Sequence, residues 1–413
     1  MAESFDLNMD RLMLFVADSN GCYPVPASKG GAVSTLVEML VAGNEEKRLI
    51  DMTVVSYYDD KAYELSNKYH NVKFIWIKVP RFIKILDKGL FWSVSTFTHI
   101  KATSFKSLFS LLYYSIKSSF IIRKSRCATV VLEHNIPMVW MIRWSGYNGK
   151  YFHHLHNIPR TNAMCRKGLD KCSGFLCISQ YMVDEIMSKN NPIGPIEKSR
   201  VKFLFNCIDT TVFKLIPNEL LSFRKEDFGI SDNSKIIIFA GRITWEKGVD
   251  KILEALDYIN ANVELLIVGA FMLDENKDPY ALKIKQLSEK YKDIIHYTGY
   301  IAHDKLPDLY NFADIAVLPS MWEEPAGLTM LEAMACGTPV ITTCSGGIPE
   351  YVGDAAIVLH RDDCLPHEIA RNVDLLLSDK ELYDTYSKRG VKRINKIFSS
   401  DDYINKFYNI VCD

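Results

Sequence analysis

The stretch Val317–Ile348, VLPSMWEEPAGLTMLEAMACGTPVITTCSGGI, decides how the rest of the chain is read. The apolar run Ile315–Leu318 that leads into it has the length and branching of a buried strand. Pro325, Ala326 and Gly327 carry turn chemistry, and LTMLEAMA after them is rich in helix formers. Strand, loop and helix in this order leave the first backbone N–H groups of the helix without intrahelical partners, at the positive end of its dipole. Such a terminus suits an anion, phosphate above all. Glu324 stands before the helix start, free to reach hydroxyls of the same ligand. Seven residues separate it from Glu332, which helical rise places about two turns further along.

A second element lies upstream in KIIIFAGRITWEKGVDKILEAL, residues 235–256. Lys235–Ala240 reads as a short buried strand, Gly241 as the break after it, and Val249–Leu256 as an amphipathic helix. Arg242 and Lys247 then sit in a loop at the carboxyl end of a strand, where ligands bind in open α/β sheets. A guanidinium can grip two phosphate oxygens and an ammonium acts as a point charge, so the pair can neutralise a diphosphate.

These stretches together, with EPAGL, LEAMACGTPVI and SGGIPEYV in order, resemble the retaining glycosyltransferases of family 4. The resemblance implies two Rossmann-like domains facing a central cleft, the architecture called GT-B, with a last helix crossing back to the first domain. It also implies transfer of a sugar from a nucleotide diphosphate sugar, expected to be a UDP-sugar, to a hydroxyl of a glycan or lipid-linked acceptor in cell-surface polysaccharide or glycoconjugate synthesis. By resemblance Glu324 orients donor hydroxyls, Gly327, Leu328 and Thr329 meet phosphate, and Glu332 holds the ribose. Arg242 and Lys247 take up the charge of the leaving diphosphate, and Tyr300 and Ile301 line the base pocket. The base contacts would not by themselves distinguish uracil from guanine. A nucleotide-sugar epimerase of the same architecture and a non-catalytic partner subunit are the rival readings. The motif order speaks against the first, and the presence of Glu324, Glu332, Arg242 and Lys247 against the second.

Length and patterning agree. A chain of 413 residues is too long for one typical core. Strand-like runs alternate with helical patterns at 11–17, 52–56, 72–77, 129–132, 150–155, 174–178 and 201–205, then at 235–240, 263–268, 294–298, 315–318, 339–342 and 356–359. This predicts two parallel, doubly wound α/β sheets. Turn residues in FNCIDTTVFKLIPNE, 205–219, place the boundary there, which gives an acceptor-binding domain at 1–205, a donor-binding domain at 206–399 and a returning helix in 400–413. The same segment is similar to the family's Asn-Gly-Val-Asp-x-x-x-Phe linker, with Cys207 where glycine is usual.

The amino-terminal half adds two candidates. Ser28-Lys29-Gly30-Gly31-Ala32 follows the first strand and opens a helix through Leu40, so small residues lie where a backbone can approach a ligand; a plain turn explains them as well. In KYFHHLHNIPR, residues 150–160, β alternation puts His154 and His156 on one face and His153 on the other. His156 occupies the position at which the family carries a histidine against the donor, while His153 and His154 read as core residues. A zinc site is not expected there, because consecutive residues on one strand cannot converge on an ion.

No D-x-D pair occurs. A metal-independent enzyme without cofactor is therefore expected, with Arg242, Lys247 and helix N–H groups supplying the positive field. A net charge of −1 gives no electrostatic footprint for nucleic acid. The ten cysteines show no C-x-x-C spacing, and no secretory leader pattern opens the sequence, so free thiols in a reducing cytoplasm are expected. Cys336 reads as a helix-packing residue rather than a nucleophile. Residues 78–126 depart from the general balance: ten Lys or Arg and one acid, Asp87, are interleaved with Phe82, Phe91, Trp92, Phe97, Phe105, Phe120 and other aromatics. Such a segment either lies on an anionic membrane, at the inner face of the cell membrane, or fills the first core beneath a solvated lysine face. The sequence leaves the oligomeric state open.

Overall fold

The computed structural model describes residues 11–17, 23–97, 107–125, 127–271 and 278–412. The chain forms two compact units, Met1–Phe205 with Ser400–Asp413, and Asn206–Ser399.

The first unit is built on a parallel sheet of seven strands, β1 (Arg11–Ala17), β2 (Asp51–Tyr57), β3 (Val72–Ile77), β4 (Thr129–His134), β5 (Lys150–Leu155), β6 (Gly174–Cys177) and β7 (Val201–Phe203), in the order β3-β2-β1-β4-β5-β6-β7. The second has six parallel strands, β8 (Lys235–Ala240), β9 (Val263–Val268), β10 (Ile295–Gly299), β11 (Ile315–Leu318), β12 (Val340–Thr343) and β13 (Ile357–Leu359), in the order β10-β9-β8-β11-β12-β13. Both are doubly wound sheets in which the strand order reverses once, beside β1 and beside β8. Central strands buried on both faces need continuous apolar runs rather than alternation. LMLFVA in β1, IIIFA in β8 and LLIV in β9 supply them, and every one of these residues is buried.

The thirteen strands read from the sequence all form, with ends shifted by one or two residues. The helix after Gly31 runs to Lys47 rather than stopping at Leu40, because Leu40, Val41 and Asn44 keep its buried face going. The stretch read as one helix from Asp401 breaks into a 3-10 turn, Ser400–Asp402, and a helix, Tyr403–Val411. That last helix belongs to the first unit. Its Ile404 packs so closely on the Ala32–Lys47 helix that a Cβ at Gly43 would lie 2.9 Å from Ile404 Cγ2. The two crossings between units run side by side: Ile208 N–H donates to the Phe398 carbonyl at 2.9 Å, and the Thr210 and Ser399 hydroxyls are paired.

The carboxyl ends of β8, β9 and β10 are stitched through glycine. Gly241 N–H donates to Val268 O and Gly269 N–H to Gly299 O, at 2.9 and 3.0 Å. Gly269 has φ +150, and a Cβ there would lie 1.8 Å from Gly241 O. Gly269→Ala is therefore expected to destabilise the protein by about 2 kcal/mol or more, since backbone has to shift. Gly89→Ala, in a helix with open space around its Cα, is expected to be neutral or to stabilise by up to about 1 kcal/mol. Urea midpoints of the two variants give the comparison, and equal effects would refute it.

Candidate functional site

The strand-order reversal in the second sheet lies between β8 and β11, and the loops leaving those two strands carry the residues singled out in the sequence. The β8 loop turns through Gly241, Arg242 and Thr244 into a 3-10 turn, Trp245–Lys247, and the Val249–Ala255 helix. It is clamped to the β11 loop by Met321 N–H on Glu246 O at 2.8 Å and Ser320 Oγ–H on the same carbonyl at 3.2 Å. Gly248, at φ +68, makes this approach possible: a Cβ there would sit 2.2 Å from Pro319 O.

The clamp brings Lys247 to Glu324. Lys247 Nζ forms an ion pair with Glu324 Oε1, which also accepts from Ser320 Oγ at 3.0 Å. Both side chains are largely buried, so solvent screens their attraction less than on an open surface. Arg242 stays outside this pair; its guanidinium is half-exposed, with Glu246 Oε2 at 3.9 Å. The Glu324 backbone is held from the other side by the β12 loop. Gly347 N–H donates to Glu324 O at 2.7 Å, and Gly346, at φ +53, lies so near that a Cβ would come within 2.3 Å of that oxygen. Glu323 turns away to Gly346 N–H and Arg361.

The Leu328–Ala335 helix begins at Gly327, which supplies no side-chain cap to the first N–H groups, at Leu328 and Thr329. Glu332 is buried inside this helix. Its carboxylate meets His303 Nε2 at 2.9 Å and accepts from Tyr310 Oη–H at 3.2 Å. Partial burial works against the His303 charge, and Glu332 outweighs it, raising the imidazole pKa above the usual value. Tyr300 is exposed and Ile301 half-buried just past β10. Cys336 is buried, which pushes its thiol pKa well up and fits a packing role.

The other candidates lie in the first unit. Gly30 and Gly31 have φ +70 and +99 and lead into the Ala32–Lys47 helix, again without a side-chain cap. A Cβ at Gly30 would meet nothing within 4 Å. Lys29 and Ser28 beside them are engaged by Asp59. His156 is buried next to Glu133 at the end of β4, its Nε2 2.9 Å from Glu133 Oε2. Burial lowers the His156 pKa to about 4, despite the carboxylate. Burial also works to raise Glu133, but His154 and His156 outweigh it and hold the carboxyl at about 2. The argument from consecutive residues on a strand needs correction here. His154 and His156 share a face, and the missing third group, Glu133, comes from the neighbouring strand.

Sequence reasoning missed Ser320, His303, Tyr310, Gly346 and Glu133. SGG directly after a strand was a legible signal for Gly346; His303, Tyr310 and Glu133 are brought to their partners only by folding.

Residues 222–393 match the family model for glycosyl transferases group 1. Through this segment the chain is similar to the group 1 glycosyl transferases. It is 27% identical over 297 residues to an uncharacterized glycosyltransferase of Methanocaldococcus jannaschii, covering 66% of this chain and 73% of that protein. It is 28% identical over 244 residues to an alpha-maltose-1-phosphate synthase of Mycolicibacterium smegmatis, covering 57% of this chain and 61% of that one. The latter match therefore spans less than two thirds of the relative. Among solved structures, Anabaena HepE in complex with UDP and glucose superimposes with a TM-score of 0.70 at 16% identity, over 97% of this chain and 99% of HepE. At that identity the likeness shows a shared GT-B fold.

The Glu332 contact gives His303 a testable titration. A raised imidazole pKa means that the pair contributes fully to stability below about pH 6.5, the ordinary histidine value, and that this contribution fades as pH rises through the raised value. NMR titration is expected to place His303 above the ordinary value, and Glu332→Gln to bring it down. An unchanged midpoint in the variant would refute the pairing.

Proposed function

We propose that this chain is a retaining glycosyl transferase of group 1 that moves a sugar from a nucleotide diphosphate sugar, with UDP as the nucleotide, to a hydroxyl of a glycan or lipid-linked acceptor. The observation that carries the reading is the Lys247–Glu324 pair at the strand-order reversal, set beside the uncapped start of the Leu328–Ala335 helix. A cation, a carboxylate and free helix N–H groups in one place match a ligand that carries both phosphates and sugar hydroxyls. The UDP found in the HepE crystals supports the choice of nucleotide.

In this mechanism Glu324 accepts from hydroxyls of the donor sugar, and Leu328 and Thr329 N–H groups face the phosphates. Lys247, already extended by Glu324 and Ser320, and the half-exposed Arg242 take up charge on the departing diphosphate. The bond from the anomeric carbon to the phosphate oxygen breaks, the acceptor oxygen bonds to that carbon on the same face, and the acceptor proton passes to the leaving phosphate. Glu332 meets the ribose, and Tyr300 and Ile301 the base. The cations and N–H groups replace a divalent ion on the diphosphate, so no metal is needed for donor binding.

The reading extends to an anionic membrane surface on the cytoplasmic side, where lipid-linked acceptors are found. Among the described residues no helix is long and apolar enough to cross a membrane. The Arg81–Phe97 and Leu108–Lys124 helices instead expose apolar stripes: Phe82, Ile85, Leu86 and Trp92 on the first, Leu108, Leu112, Ile116 and Phe120 at every fourth position of the second. The core-filling alternative holds for Ile83 and Tyr114, which are buried, and fails for these. Asp87, the one acid of the segment, is buried and accepts from Phe109 and Ser110 N–H at 2.7 and 3.1 Å, tying the helices together. No other acid within residues 78–126 offsets the ten Lys and Arg of the segment. A groove of about 370 Å³ beside it combines Trp76, Tyr113 and Phe120 with Lys78, Lys117 and Lys124. Phe105, named above with this segment, lies outside the described residues, as do Lys101, Lys106 and the Phe97 side chain.

Lys247→Ala and Arg242→Ala are each expected to lower kcat by two or more orders of magnitude, about 2.7 kcal/mol of transition-state stabilisation, without unfolding the protein. Calorimetric UDP affinity is expected to be the same with Mg²⁺ as with EDTA. Near-unchanged turnover of both variants at saturating UDP-sugar, or UDP binding only with Mg²⁺, would refute the clamp.

The chain is expected to sediment with vesicles rich in anionic lipid and not with neutral ones, and to release as salt rises. Reversing Lys78, Lys117 and Lys124 to Glu removes about 1 kcal/mol of lipid attraction per lysine and adds repulsion, so cosedimentation is expected to vanish while UDP binding persists. Equal recovery on neutral and anionic vesicles would overturn the membrane assignment.

A further inference from the structure

The buried polar cluster at the ends of β4 and β5 is larger than His156 needs. Glu133 and His154 are fully buried and His156 nearly so, in the same sheet as the apolar β1. Adjacent parallel strands in register put Glu133 beside His154, and the two-residue period of β5 returns His156 to the same face. His154 Nδ1 and His156 Nε2 then lie 3.0 and 2.9 Å from one atom, Glu133 Oε2. The imidazole rings stand 4.2 Å apart, centroid to centroid.

Hydrogen bonding accounts for only part of this convergence. His156 Nε2 is aligned with Glu133 Oε2, whereas His154 Nδ1, though as near, is not aligned for a hydrogen bond. Both ring nitrogens of His154, Nδ1 of His156 and Oε1 of Glu133 are buried without a hydrogen-bond partner. Each such atom carries a penalty of about 1–3 kcal/mol, and four in one cluster are hard to reconcile with a purely structural role. Three candidate ligand atoms in near contact, with only one pair of them aligned for a hydrogen bond, suit the arrangement of ligands around an ion. Bonds of about 2.0–2.1 Å at tetrahedral angles put neighbouring ligand atoms about 3.3 Å apart, so a shift of a few tenths of an ångström would admit one.

We infer that Glu133, His154 and His156 form a binding site for one divalent transition-metal ion of the zinc class. All three candidate ligand atoms lie within 4.8 Å of one another. Two imidazoles and one carboxylate form a ligand set that zinc takes with a fourth position open, and the nitrogen ligands disfavour calcium or magnesium. His134 stands at the rim: its ring is 6.2 Å from that of His156, and its backbone has φ +80, a conformation that L residues adopt rarely. The ion would tie the end of β4 to the end of β5 and fix the orientation of His156. It is separate from the metal-free handling of the diphosphate proposed for the other unit.

The test uses the full chain with Zn²⁺ as the probe. After incubation with excess Zn²⁺ and desalting, mass spectrometry of the metal content is expected to find about one zinc per chain in the wild type, and little in His154→Ala and Glu133→Gln whose circular dichroism is native. Co²⁺ loaded in place of Zn²⁺ is expected to give a visible ligand-field band in the wild type, a readout that does not depend on the variants folding. A wild type without retained zinc and without the cobalt band, or folded variants that hold zinc undiminished, would overturn the site.

Discussion

Everything chemical in this protein depends on one constraint: all thirteen strands are parallel within their sheets, so every strand of a sheet delivers its following loop to the same edge. Where the strand order reverses, the helices after the two central strands pass to opposite faces, and their loops part around a crevice. In the second sheet this reversal falls between β8 and β11. Lys247 and Glu324, far apart in sequence, meet because each follows one of these strands.

The crevice does not by itself fix side chains; close backbone approach does. Gly248 allows the β8 loop to press on Pro319, and Gly346 allows the β12 loop to press on Glu324. A methyl group at either place would collide with a carbonyl oxygen. The Glu324 backbone is thereby held in place, and Lys247 and Ser320 fix its carboxylate, the kind of preorganisation that the proposed function calls for. Glu332 is set differently, by His303 and Tyr310 across the helix that carries it.

The first unit distributes its chemistry less evenly. Its sheet ends in a compact group of Glu133, His154 and His156, held in a largely apolar interior, while its outer helices turn large apolar side chains and lysines to solvent. Both features oppose the general tendency of polar groups to lie outside and apolar groups within. Departures of this kind are where a fold gives up stability for binding.

By itself the sequence determined the two α/β sheets, their thirteen strands and the break near residue 205, because period, apolar runs and turn residues are local properties. It also determined the glycine-flanked acidic loop at Glu324, since the residues of that loop are contiguous. The tertiary structure alone decided which side chains meet. His303 reaches Glu332 across 29 residues, Lys247 reaches Glu324 across 77, and Glu133 reaches His156 from the neighbouring strand. It also decided which aromatics of residues 78–126 are buried: Tyr114 goes into the core, donating from its hydroxyl to Val55 O at 2.7 Å, while Phe120, six residues on, faces outward. Helical spacing fixes that these two lie on different faces, but only the packing of the helix against β1 and β2 fixes which face is inside.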